Sequence, residues 1–180
     1  MRIVIASDIH GSLKYCRELI ERYREEKCEK LVLLGDVLYH GPRNALPDEY
    51  MPKEVIEMLN NLKDKIMCVR GNCDTEVDQM VLDFPILGEY AVIPVGERLL
   101  YATHGHNFNE SHLPPLMNGD ILLHGHTHVP KCIEHDEYIY MNPGSVSIPK
   151  ENSHHGYMTL CDGEFLWKDF DGNIIMEYKA

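Results

Sequence analysis

Positive charge is scarce in this sequence: 17 Lys and Arg stand against 29 Asp and Glu, a formal net charge of −12. So acidic a chain is a poor general partner for extended nucleic acid or an anionic membrane, because phosphate backbones reward basic surfaces. A phosphate substrate stays open, since bound metal can reverse the sign locally. No apolar run is long enough for a signal peptide or a membrane span, so the cytoplasm is the expected compartment. The six cysteines, Cys16, Cys28, Cys68, Cys73, Cys132 and Cys161, include no C-x-x-C pair. Cys16 and Cys68 sit inside apolar patterns, and the set reads as reduced thiols rather than a disulfide framework. Internal repeats, low-complexity tracts and linkers are also missing. What remains is a chain of 180 residues, 44% apolar and 26% charged. That suits one globular domain, residues 1–180, long enough to bury a core.

The first half alternates strand and helix signals. Ile3 to Ala6, Leu31 to Leu34 and Ile66 to Val69 are short apolar runs. Between the first two, Cys16, Leu19, Ile20 and Tyr23 fall at helical spacing, with Ser12 as N-cap. Residues 37–52 form a long polar loop with prolines, a length that points to function or disorder. A second helix starts at Pro52 and faces the core with Val55, Met58, Leu59 and Leu62. This order implies parallel strands and right-handed crossovers, with ligands beyond the carboxyl ends of the strands. From about residue 88 the pattern changes to antiparallel. Tyr90 to Val95 and Arg98 to Ala102 flank a turn at Gly96-Glu97. A strand is expected over Glu137 to Met141, closed by the turn 142–145. Three more lie within Tyr157 to Tyr178, joined at the type I′ dipeptides Asp162-Gly163 and Asp171-Gly172.

The chemistry collects where apolar runs end. The stretch Ile121 to His128, Ile-Leu-Leu-His-Gly-His-Thr-His, reads as a buried strand releasing a turn with clustered imidazoles. Four other runs end in side chains able to hold metal: Asp8 and His10, Asp36, Asn72, and His104. One such ending could be chance; five with carboxylate and imidazole together point to a metal centre. Seven ligands exceed what one ion takes and fit two sharing a carboxylate, and Asp36, alone after its strand, is the natural bridge. Oxygen and nitrogen ligands without a thiolate pair suit Mn²⁺, Fe²⁺ or Zn²⁺ rather than a structural Cys-type zinc site. Two buried, unpaired carboxylates would each cost several kcal/mol, of order the penalty for a buried ion, and divalent ions remove that cost.

The order Asp-x-His, Gly-Asp, Gly-Asn, His, Gly-His-x-His resembles the calcineurin-like metallophosphoesterases over nearly the whole chain. More narrowly, the segments 6–12, 35–47, 70–74 and 142–150 resemble the small bacterial YfcE-type phosphodiesterases. The resemblance implies an α/β four-layer α-β-β-α sandwich of two mixed sheets with flanking helices. It implies Asp8, His10 and His128 on one ion, Asn72, His104 and His126 on the other, and Asp36 shared. It also chooses His126/His128 over His124/His126, a choice the residues alone leave open. Mn²⁺ is the cofactor such relatives commonly use, with Zn²⁺, Fe²⁺ or Ni²⁺ compatible. Two-metal chemistry then implies phosphodiester hydrolysis by in-line attack of a hydroxide bridging the ions, without a covalent intermediate.

Asn72, Cys73 and His104 are the residues expected to act in catalysis. Cys73 departs from the phosphoprotein phosphatases of the wider superfamily, where a His follows the ligating Asn and assists the leaving group. A thiol is a poor replacement, and losing a positioned acid costs about 10²–10⁴-fold. Substrates with good leaving groups, such as aryl phosphodiesters, are therefore expected. Arg43 could grip a phosphate bidentately, and His40, Asn44 and His106 are further candidates for substrate contact. Asp74 is expected to hold a neighbouring side chain, and His124 to pack or to support a ligand. His112, His135, His154 and His155 are expected to be solvated, and Ser145 is not expected to be a nucleophile. The leading function is a metal-dependent phosphodiesterase acting on a small diester, with self-association implied by resemblance. A phosphomonoesterase of the same fold and a noncatalytic interaction protein retaining the metal site are the alternatives.

Overall fold

The computed structural model describes residues 1–180. Strand β1 (Arg2–Ala6) is followed by helix α1 (Leu13–Glu25), β2 (Lys30–Leu33), α2 (Pro52–Asn60) and β3 (Ile66–Cys68). Pairing of β1 with β2 and of β2 with β3 is parallel. Ser12 caps α1: its hydroxyl accepts the Tyr15 N–H (3.4 Å) and donates to the Asp48 carbonyl (2.6 Å). Pro52 opens α2, where its missing N–H costs nothing. A short helix α3 (Glu76–Gln79), which the apolar pattern does not signal, follows the third strand.

The second half builds β4 (Tyr90–Val95), β5 (Arg98–Thr103), β6 (Asp120–His124), β7 (Lys131–Glu134), β8 (Tyr138–Asn142), β9 (Gly156–Cys161), β10 (Glu164–Asp169) and β11 (Ile174–Lys179). Two sheets result, in orders β11-β10-β9-β1-β2-β3 and β4-β5-β6-β8-β7. The change to antiparallel pairing expected near residue 88 holds for β9, β10 and β11 in the first sheet and at the edges of the second. The centre of the second is parallel, β5 on β6 and β6 on β8. In the first sheet the parallel strands β1, β2 and β3 form one end, and β9, β10 and β11 continue antiparallel from β1; in the second, the parallel strands β5, β6 and β8 are flanked by antiparallel β4 and β7. Strand β7 was not anticipated: Lys131, Cys132, Ile133 and Glu134 lie on a largely exposed edge and lack a buried alternation.

Burial follows from strand alternation. Val4 and Ala6 face the helices, whereas Ile3 and Ile5 face the other sheet. Ile121 and Leu123 from β6 meet Ile5, Val32 and Trp167 between the sheets. The helical core is built by Leu19, Ile20, Val55 and Leu59 against the first sheet. The outer face of the second sheet carries no helix. Phe108 packs edge-on to Tyr90 there, and Glu110 meets His124, so the segment 105–118 supplies that layer.

The turns obey their residues except at one place. Asp162 and Gly163 both have positive φ, as a type I′ turn demands. At Asp171-Gly172 only Gly172 does. The expected I′ turn is instead a longer loop over 170–173, because the Asp169 carboxylate accepts the N–H groups of Asp171 (3.0 Å) and Asn173 (2.8 Å).

Leu19 is fully buried beneath α1, so Leu19→Ala is expected to lower unfolding free energy by about 2–5 kcal/mol, read from the urea midpoint at unchanged slope.

Candidate metal centre

The parallel strands of both sheets point their carboxyl ends at one volume. Beyond β1 stand Asp8 and His10, beyond β2 Asp36, and beyond β3 Asn72; His104 follows β5, and His126 and His128 follow β6. Five of these seven residues, Asp8, His10, Asp36, His126 and His128, have φ between 50° and 64°. Non-glycine residues adopt such backbone only when their surroundings impose it. Strands β1, β2 and β6 therefore end in tight left-handed bends that throw these side chains inward. Two glycines permit the crowding. A Cβ on Gly71 would lie 2.2 Å from Asp36 Oδ1, and one on Gly125 would lie 1.9 Å from Ser7 Oγ.

Three of the four imidazoles are oriented by a backbone carbonyl. Nδ1 of His10 lies 2.7 Å from the Tyr39 oxygen, Nδ1 of His104 2.7 Å from the Leu34 oxygen, and Nδ1 of His128 2.6 Å from the Ile148 oxygen. Only a protonated Nδ1 can bond a carbonyl, so each ring turns Nε2 inward. His126 presents Nδ1 instead, 3.1 Å from His104 Nε2. Each carboxylate is divided in the same manner. Asp8 Oδ2 accepts Ser7 Oγ–H (2.6 Å) and the His126 N–H (3.1 Å), while Asp8 Oδ1 is buried without a hydrogen-bond partner. Asp36 Oδ1 accepts the Cys73 N–H (2.8 Å), and its Oδ2 faces His104 Nε2 at 3.5 Å and His10 Nε2 at 3.9 Å.

The inward-facing atoms are thus almost all lone pairs. His10 and His128 bring Nε2 to 3.3 Å of each other, and His128 Nε2 lies 3.2 Å from the orphaned Asp8 oxygen. Asn72 Oδ1 is 3.0 Å from His104 Nε2. Such an arrangement is repulsive unless a cation sits inside it, and oxygen and nitrogen donors at these separations fit divalent metal. Ionisation answers the same demand. Burial pushes the Asp8 carboxyl up, but the imidazoles of His10, His128 and His104 outweigh it and hold Asp8 well below the carboxylate range. Burial pulls His10 down, yet Asp8, the Tyr39 carbonyl and Asp36 leave it raised above an ordinary histidine. Burial and the neighbouring His104 charge lower His126 to about 4, so its imidazole is neutral at pH 7.

Of the residues expected at the substrate, Arg43 and Asn44 line a cavity of about 500 Å³ together with Asp36, Asn72, Cys73 and His126. His40 does not line it: its ring packs edge-on against Tyr39 and Tyr50, and only its carbonyl reaches Asn44 Nδ2, at 2.8 Å. His106 sits behind His104, with ring centroids 5.4 Å apart, and also stays outside the cavity lining. Burial, then Asp36, pushes the Cys73 thiol well up, so the protonated thiol faces the cavity. His124 is buried, stacked on Tyr140 at 4.5 Å and 2.7 Å from Glu110 Oε2. His155 is not simply solvated, since it stacks on Tyr15 at 3.9 Å and its Nδ1 lies 2.9 Å from the Val146 oxygen.

Several supports carry no signal in a strand-end pattern. Asp74 holds backbone rather than a side chain: its carboxylate accepts the N–H groups of Asp36 (2.8 Å), Val37 (2.9 Å) and Gly71 (2.7 Å). Ser145 and Ser147 both donate to the Asp8 carbonyl, each at 3.0 Å. Asn142 donates to the Gly125 carbonyl (2.8 Å) and Thr127 Oγ1 (3.0 Å), fixing the turn that carries His126 and His128. Lys150 lines the same cavity as Arg43 and is a second cation there.

Comparison with known proteins places this geometry. The calcineurin-like phosphoesterase superfamily domain matches residues 1–162. Phosphodiesterase YfcE of Escherichia coli K12 is 47% identical over 160 residues, covering 89% of this chain and 87% of that protein. Phosphodiesterase MJ0936 of Methanocaldococcus jannaschii is 26% identical over 152 residues, or 80% of this chain and 83% of that one. The solved structure of the E. coli phosphoesterase YfcE superposes with a TM-score of 0.96 at 43% identity, covering 99% of both chains. The chain belongs to the calcineurin-like phosphoesterase superfamily.

Proposed function

We propose that the protein is a dinuclear metal-dependent phosphodiesterase of small phosphodiesters, with Mn²⁺ as its favoured ion. Asp8, His10 and His128 would hold one ion, Asn72, His104 and His126 the other, and Asp36 both. The observation that carries this reading is the set of inward lone pairs around Asp36 Oδ2, opening onto a cavity with Arg43 and Lys150 at its wall. The relatives named as phosphodiesterases support the diester class. Bound divalent ions would supply charge neutralisation on the phosphoryl oxygens and a water ionised near neutral pH for in-line attack.

The chain's own residues bind and orient. The Arg43 guanidinium and the Lys150 ammonium offer charge-assisted donors to non-bridging phosphoryl oxygens. Asn72 divides its amide: Oδ1 turns to the centre while Nδ2 donates to Cys73 Sγ (3.3 Å). The Cys73 thiol, made a weaker acid than a free thiol by burial and Asp36, gives little help to a poor leaving group. Aryl diesters, whose departing oxygen needs no strong acid, are the substrates this favours. The reduced cysteines suit a cytoplasmic setting, and no helix is long and apolar enough to cross a membrane.

Three outcomes are expected. Protein stripped with chelator and dialysed against Mn²⁺ should carry two ions per chain by elemental analysis and hydrolyse bis-aryl phosphate. Asp36→Asn should take up fewer and lose activity, and metal-loaded wild type that leaves every diester intact refutes the proposal. Uptake should also release protons: Asp8, the Tyr39 carbonyl and Asp36 leave His10 raised above an ordinary histidine, so it holds its proton more tightly and bound ions must displace it. Calorimetry in buffers of differing ionisation heat reads this release, and metal affinity should fall as pH is lowered. Finally, Asp74→Asn cannot accept all three N–H groups at once. It should weaken metal affinity about 10–100-fold through the displaced Asp36 and Gly71 backbone while Asp36 itself is unaltered.

A further inference from the structure

Beside the metal cleft lies a second hollow of different character. A groove of about 360 Å³ runs between α2 and α3, lined by Leu38, Tyr39, Tyr50, Ile56, Val77 and Val81. Its side chains are left uncovered: Val77 is 69% exposed, Val81 43% and Tyr39 42%. Cys73 lines both this groove and the metal cleft, so the two are neighbours that share its side chain as a common wall. The cleft is lined almost wholly by polar and charged residues, whereas seven of the groove's eleven, Cys73 among them, are apolar. The groove is also tied to the centre through the backbone. The Tyr39 carbonyl that orients His10 belongs to the residue whose ring forms the groove wall.

A phosphodiester carries two ester arms on one phosphorus. With phosphorus in the cleft, an arm passing Cys73 enters the groove, where polar partners are few. The size is that of a small-molecule pocket rather than of a protein interface. We propose that this groove receives an aromatic or otherwise apolar retained arm of the substrate, so that Tyr39, Ile56, Val77 and Val81 set selectivity between diesters. This rests on the phosphodiesterase reading above and adds a substrate feature to it: one charged phosphoryl group joined to one apolar group.

The test uses Mn²⁺-loaded full-length protein and two diesters that release the same p-nitrophenolate, one retaining a methyl arm and one a phenyl arm. Wild type should favour the phenyl ester, and the double variant Val77→Ser/Val81→Ser should cut the ratio of the two kcat/KM values about tenfold, the discrimination an apolar pocket gives for a methylene-sized change. Comparing ratios cancels the intrinsic reactivity of the esters. Both positions are exposed, so the fold should survive, which circular dichroism checks. In parallel, calorimetry compares binding of diphenyl and dimethyl phosphate to both proteins. An unchanged ratio with unchanged binding overturns the groove while leaving the phosphodiesterase reading intact. If wild type hydrolyses neither ester, that reading falls, and the groove is judged by binding alone: tighter diphenyl phosphate, lost in the variant, sustains it, and equal binding ends it. A variant that alters sedimentation but not the ratio assigns the groove to a second copy of the chain and overturns the proposal.

Discussion

Unlike charge held together by unlike charge is the usual rule of a protein interior; here negative and lone-pair atoms are held against each other. Asp8 and Asp36 are buried with one oxygen each turned inward, and four imidazoles add nitrogens at hydrogen-bond distances with no proton assigned between them. In a low-dielectric interior this is unfavourable by several kcal/mol per ion, on the order of a desolvation penalty. Everything around the cluster works to keep it from relaxing. Three carbonyls hold imidazoles by Nδ1, Ser7 and the His126 N–H hold the far oxygen of Asp8, and the Cys73 N–H holds that of Asp36.

The fold supplies that restraint because each sheet contains three neighbouring parallel strands. Parallel strands direct their carboxyl ends the same way, and stacking the sheets face to face brings β1, β2 and β3 opposite β5 and β6. Ile5, Val32, Ile121 and Leu123 fill the space between, so the strand ends cannot shift without opening the core. Left-handed backbone at five of the seven proposed ligand positions is the local cost of that convergence. The large apolar interior on both faces of the first sheet is what makes the cost tolerable.

The elements that carry ligands were legible in the sequence because each announces itself twice, by an apolar run and by the polar group that stops it. Strands β1 to β6 and helices α1 and α2 could be located within a residue or two for that reason. The parallel centre of the second sheet was not legible, since pairing direction depends on where segment 105–118 and strand β7 carry the chain, and neither has a periodic pattern. The Asp169 side chain displaced an expected two-residue turn by offering a competing local bond. The ligand residues were readable by type, but the choice of His126/His128 over His124/His126 came from resemblance. In the structure, His124 is turned to the outer face against Tyr140 and Glu110, as the alternation of β6 requires. Asp74, Ser145 and Ser147 serve backbone atoms, and nothing in a side-chain pattern marks a residue whose partner is a distant N–H or carbonyl.

The serine pair reaching the Asp8 carbonyl has a bearing on biosynthesis. Asp8 is separated from Ser145 by 137 residues and from Ser147 by 139, and β1 has β9 as its antiparallel neighbour. The amino-terminal ligands leave the ribosome first, but the hydroxyls that anchor their bend are translated near the end. A nascent chain can form β1, α1 and β2 early, as local contacts allow, yet it cannot close the bend at Asp8 until about four-fifths of translation is done. Completion of the proposed metal site is thereby deferred until most of the polypeptide is made, and a product truncated before Ser145 would display loose carboxylates and imidazoles instead of a shaped receptacle.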